Sequence, residues 1–220
     1  MSLSSSPKLI KGGLVVLDAA NGTVKRTIAL QYNPDSLAFS YQVQGAGGEG
    51  GGDRAQPFRL KGPAVQTIKL DAEIDATDAL ERPEQNANVV QFGIAPQLAV
   101  LEALVNPSVA ELMTLKGLAA SGTLEILPPE APLVLFIWGA SRIVPVRVTD
   151  FSITEEAFDP ALNPMRAKVS LGLRVMSTDD LGFEHRGASV FINHLRTREA
   201  LAGKTGAASL QTLGLSNLPP

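Results

Sequence analysis

The chain has 220 residues, a formal charge of −3 and no cysteine. These facts exclude disulfides, thiolate metal sites and cysteine nucleophiles, and no basic run marks a nucleic-acid groove. Hydrophobic residues at 45% with aromatics at only 5% describe a soluble globular chain with a mainly aliphatic core.

In chain order, residues 1–7 are polar and serine-rich, without the apolar stretch of a signal peptide. Strand-like residues 14–17 and 24–30 flank Asn21-Gly22, a strong hairpin turn. Val24, Ile28, Leu30 and Tyr32 fall on one strand face, with Arg26 as the exception. After Pro34, Leu37, Phe39, Tyr41 and Val43 alternate in the same way. Residues 44–63 contain the run Gly45-Ala46-Gly47-Gly48-Glu49-Gly50-Gly51-Gly52, which predicts a long mobile loop between two strands. Ile68, Leu70, Ala72 and Ile74 then alternate with Lys69, Asp71, Glu73 and Asp75, a strand with one buried and one wet face.

Pro96 suits the first turn of a helix whose apolar positions are Leu98, Leu101, Leu104 and Val105, and Asn106-Pro107 stops it. Residues 133–138 are continuously apolar, as in a strand buried on both faces, and are far too few to cross a bilayer. Val144, Val146 and Val148 lie on even positions but Phe151 and Ile153 on odd ones, which predicts a bulge near Thr149 and Asp150. Ala167, Val169, Leu171, Leu173 and Val175 mark a last long strand. A second helix is predicted over residues 188–202, with Phe191, Leu195 and Leu201 as its apolar side. From Gly203 the chain is small, polar and without period, and reads as a tail.

The search for chemistry ends negatively. The glycine run lacks the Gly-Lys-Ser/Thr of a phosphate loop and no helix pattern follows it. Asp71, Glu73 and Asp75 resemble the start of a calcium loop, but Ala76 stands where glycine is needed and Arg82 where glutamate is. His185 and His194 have no metal-binding spacing, and no Gly-x-Ser-x-Gly elbow occurs. Glu155 and Glu156 are adjacent on a strand-like segment and point to opposite faces. Asn21-Gly22-Thr23 matches a glycosylation acceptor, but the turn explains it without a secretion signal. The expectation is no enzyme, no cofactor and no metal site.

Several motifs occur in a particular order. They are Tyr32-Asn33-Pro34, the glycine-rich loop, the 96–107 helix, Trp138-Gly139, and a segment containing Phe158, Pro160, Asn163, Pro164 and Arg166. This order resembles the N-terminal tube-like domain of contractile injection system tube and baseplate adaptor proteins, over about residues 9–177. The resemblance implies a mainly β, α+β fold, in which two packed antiparallel sheets form a small barrel with one packed helix, followed by a C-terminal helix and tail. It divides the chain into residues 1–180, the tube-like barrel, and 181–220, the helix and extended tail. It also implies a structural subunit, a hexameric ring joining the spike or hub and baseplate to the inner tube. The long loop would then contact adjacent rings. The implied partners are the chain itself, the inner tube, the hub or spike and other baseplate subunits, with no nucleic acid and no direct membrane insertion. The implied location is the cytoplasm, in a contractile particle. No peptidoglycan-binding LysM pattern follows Leu181. Two other readings fit the residues: a tube-terminating cap subunit, and a β-barrel that binds a small ligand or carbohydrate.

Overall fold

The computed structural model describes residues 9–18, 21–45, 60–121, 131–206 and 208–218. Seven strands, all antiparallel to their neighbours, form one sheet: β1 (Gly13–Leu17), β2 (Val24–Ala29), β3 (Ala38–Gln42), β4 (Val65–Asp75), β5 (Leu133–Ile137), β6 (Ile143–Phe158) and β7 (Pro164–Val175). Their order is β2-β1-β5-β6-β7-β4-β3. The chain is therefore mainly β with helices, the α+β class that the resemblance implies. The hydrogen-bonded ladders join all seven strands without a break, so the two layers expected from the resemblance are halves of one sheet.

That sheet curls around a single core. Leu14 and Val16 of β1 and Phe136 of β5 belong to the same buried cluster as Ile68 and Leu70 of β4 and Leu171 of β7. Burial of these alternate side chains is the main force holding the curl. The guanidinium of Arg142, in the β5–β6 turn, lies 4.5 Å from the ring centre of Phe39 on β3, a cation–π contact between distant members of the strand order.

The central strands follow their patterns. In β4 and β7 the even-face and odd-face apolar sets, Ile68, Leu70, Ala72 and Ala167, Val169, Leu171, Leu173, are all buried. β5 lies between β1 and β6 and buries three successive residues, Val134, Leu135 and Phe136, as a continuous apolar run requires. The ladder between β6 and β7 shifts register between Val148 and Asp150, which is the bulge that the change of phase demands. The edges depart from expectation. In β2, Val24 is exposed and only Ile28 and the following Leu30 turn inward. In β3, Phe39 packs on the core but Tyr41 is exposed, as is Val43 just after the strand. An edge strand has neighbours on one side only, so alternation there marks a face without guaranteeing a cover.

Helices are more numerous than the sequence suggested. α1 (Thr77–Leu80) and α2 (Ala87–Phe92) precede α3 (Ala95–Glu102), which buries Leu98 and Leu101 and sits on the fully enclosed Ile94. The helix expected over 96–107 ends early, and Ser108 starts a further helix, α4 (Val109–Ala120). Ser108 accepts from the Glu111 N–H and the Glu111 carboxylate accepts from the Ser108 N–H, a complete capping box. α5 (Thr178–Leu181) leads to α6 (Arg186–Ala202). Its inward side is Ala188, Phe191 and His194, while Leu195 and Leu201 are exposed, a correction to the expected stripe. The tail forms one 3₁₀ turn at Leu210–Leu213, closed by left-handed Gly214. Most of the glycine-rich run, residues 46–59, lies outside the described residues.

Candidate assembly surface

The residues singled out by the sequence fall into three places. The first is the connection from β2 to β3. Asn33 works there as a substitute strand partner: its Oδ1 accepts from the Gly12 N–H at 2.9 Å and its Nδ2 donates to the Ile10 carbonyl at 2.9 Å. Gln31 does the same toward the other half of the sheet. Its Nε2 donates to the Asp75 carbonyl at 2.8 Å and its Oε1 accepts from the Asp75 N–H at 2.9 Å. The connection is thereby tied to the start of β1 and the end of β4. Tyr32 is exposed and donates its hydroxyl to Asp78 Oδ2 at 2.7 Å, and half-buried Pro34 turns the chain onward.

The second place is the β5–β6 turn. Trp138 stacks on Phe136 with ring centres 6.2 Å apart, and its six-membered ring covers Gly12. A Cβ at position 12 would stand 2.2 Å from Trp138 Cε3, so only glycine permits that approach. Gly139, with φ +70°, then reverses the chain.

The third place is the β6–β7 hairpin. Leu162 N–H donates to the Asp159 carbonyl at 2.9 Å, a β-turn with Pro160 in its second position. Asp159 Oδ1 accepts from the N–H groups of Ala161 and Asn163, both at 2.8 Å, and Oδ2 accepts from Asn163 Nδ2 at 2.7 Å. These bonds hold the Asp159 carboxyl below the usual carboxylate range, the Asn163 side chain first among them. Asn163 Nδ2 also donates to the Gln91 carbonyl, while the Pro164 carbonyl accepts from the Ile94 N–H. The tip is thus fixed to itself and to the α2–α3 junction. Phe158 stays exposed.

A family model described as contractile injection system tube protein matches residues 11–183. The chain belongs to that family. It is accordingly a structural subunit of a contractile injection system, a family that assembles with itself and with other parts of the machine. The matched region takes in every strand of this tube-family sheet and ends between α5 and α6. No curated protein matches the chain.

Beyond the motifs, the tube-family sheet carries a polar face that spacing alone did not assemble. An open cleft on it is lined by Tyr32, Glu73, Asp75, Glu156, Arg166 and Lys168. Arg166 Nε donates to Asp75 Oδ2 at 2.7 Å across the β4–β7 ladder, and Lys168 pairs with Glu156 at 3.2 Å on the other side. Thr77 donates its hydroxyl and its N–H to Asp75 as well. These bonds, followed by that of Arg166, hold the Asp75 carboxyl below its ordinary range. Arg166 points away from the buried set and pairs within its own chain. Gln31 and Asp159 were not singled out from the sequence, and Asp75 entered only on the wet face of β4 and in a calcium-loop pattern that fails. Asp159 alone carried a usable signal, an aspartate before proline at a turn start.

Proposed function

We propose that the chain forms a hexameric ring that joins the spike or hub and the baseplate to the inner tube of a contractile particle assembled in the cytoplasm. The observation that carries this reading is the outer face of β4, β7 and β6. Asp71, Glu73 and Asp75 face Ser170, Lys168 and Arg166, and these face Ser152, Thr154 and Glu156. Acid and base stand opposite one another, and the rest are small hydroxyl residues. Such a surface is costly to dry and carries little net field, which suits the wall of a water-filled channel. The opposite face of the same strands builds the core, so each copy has a wet side to give to a lumen.

The tail fits the same role. Leu213 and Leu218 are exposed on the tail, whose one charged side chain is Lys204, and we assign them to contacts with another component such as the hub or the next ring. Electron microscopy of purified particles with this subunit labelled tests the reading. A closed ring with sixfold symmetry next to the tube is expected. A single copy per particle, or threefold symmetry only, overturns it.

A further inference from the structure

His194 is the titratable group that α6 holds inside. It follows Phe191 on the inward stripe, and its Nδ1 is enclosed without a hydrogen-bond partner among the described residues. Such a site tolerates a neutral imidazole far better than a charged one. The charges that act on it add to that penalty. Arg198 lies one turn further along α6, and Arg142 acts on it from the β5–β6 turn. Arg142 is not free to swing away, because its guanidinium is held 4.5 Å from the ring centre of Phe39. The first charged residue of β6, on which α6 packs, is Arg147, again a cation. The acids of α5 are engaged elsewhere: Asp180 pairs with Arg174, and Asp179 lies against Gly62. Arg196 and Glu199 are exposed on other sides of α6, and His185 caps the start of the helix by accepting from the Gly187 N–H.

The helix is also joined to the sheet in a way that lets it move as a unit. Gly182, between α5 and α6, has φ +68° and open space around its Cα. Among the described residues no strand follows β7, so releasing α6 breaks no ladder. Its ties are the packing on β6 and α5 and the bond from Arg186 to the Gly22 carbonyl, 2.8 Å long. Burial of Ala188 and Phe191 keeps it docked at neutral pH.

We propose that α6 is an acid-released cover: uptake of a proton by the enclosed His194 undocks the helix from β6 about a joint at Gly182, while the seven-stranded sheet stays folded. The undocked helix offers His194 to water, where it protonates near its ordinary pKa, whereas the docked helix resists the charge. As pH falls from about 6.5 toward the lower docked value, the ratio of undocked to docked helix therefore rises about tenfold per pH unit. α6 carries the tail with its exposed Leu213 and Leu218. A swing of this 17-residue helix moves the tail by up to about 25 Å. Acid thus extends the reach of the tail, and the release itself does not depend on the ring reading.

Amide exchange of the full-length chain from pH 7 to 5, corrected for the intrinsic pH dependence of exchange, tests this. The opening constants of residues 186–202 should rise about tenfold per unit below about pH 6.5. They should also stay at least about tenfold above those of β4 and β7, which open only with the whole chain. His194→Leu and His194→Gln should both lose the rise. His185→Asn, which keeps a capping acceptor at the helix start, should retain it. Arg142→Gln leaves His194 in place but removes the fixed charge, and should narrow the pH window over which opening rises. Opening of α6 that is independent of pH, that rises as steeply in both His194 variants, or that never exceeds that of β4 and β7 overturns the proposal.

Discussion

Two helices of this chain show how burial is decided. α6 is rich in charge, with Arg186, Arg196, Arg198 and Glu199, yet it encloses Ala188, Phe191 and His194. α4 carries only Glu111 and Lys116 as charges among twelve residues, yet buries none of them. The difference lies in phase. The inward residues of α6 recur every three positions and meet β6 as one stripe. The apolar residues of α4 are distributed all round it, so no single face is favoured, and Leu112, Met113 and Leu118 remain exposed. Apolar content makes a helix sticky, whereas apolar phase makes it part of a core. α4 is held at its start by its capping box instead.

The largest effect expected from this contrast is at Phe191. It is 4% exposed and part of the cluster formed by the strands. Phe191→Ala should cost about 3–5 kcal/mol, read as a lower urea midpoint at unchanged slope. A loss below about 1 kcal/mol would put α6 on the footing of α4 and end the comparison.

The next effect is at the cap of α4. Ser108→Ala removes one arm of the box and should cost about 1 kcal/mol of local helix stability. The expected readout is faster amide exchange across residues 109–120, with the global midpoint unmoved, because nothing in α4 is buried. A matching drop in global stability would show that α4 unfolds together with the sheet.

How much of this was legible follows the same logic. β4 and β7 were readable because they are flanked on both sides, so alternation and burial coincide. The bulge at 148–150 was readable because a change of phase in one long strand has one simple cure. α4 was missed because uniform apolarity has no period, and α1 and α2 because four and six residues are too few to show one. The exposure of Tyr41 and Val43 was hidden because an edge strand keeps its pattern without a partner. At the candidate surface, Asn33 and Asn163 were readable as turn residues. Their partners, Ile10, Gly12 and Gln91, were not, since those hydrogen bonds join distant parts of the sequence.

A pH titration sharpens the contrast further. His194 of α6 is buried and its Nδ1 lacks a hydrogen-bond partner among the described residues. Burial, then the charges of Arg198 and Arg142, push its pKa below the ordinary value. The unfolded chain therefore takes up this proton first as pH falls below about 6.5, and stability declines through that window. His194→Leu should flatten the decline between pH 6.5 and the lowered folded pKa. α4 has no counterpart near neutrality. Its Glu111 is held below the usual range by hydrogen bonds from Ser108, so its contribution is present above the ordinary glutamate pKa and fades only in acid. A parent chain whose stability is flat from pH 7 to 5 would remove this distinction.

The smallest expected change is the one that tests α4 most directly. Leu112 and Leu118 are 49% and 41% exposed, so folding moves only part of each side chain out of water. The transfer term lost on substitution is correspondingly small. Serine is a weaker helix former than leucine, but by only a few tenths of a kcal/mol at each position. Leu112→Ser with Leu118→Ser should therefore leave global stability within about 0.5 kcal/mol, as surface changes generally do. Phe191→Ala in the same denaturation series supplies the contrast. If the α4 double variant lost more than about 1.5 kcal/mol, the leucines would have to be buried in the folded chain in solution. Phase would then not be what separates the two helices.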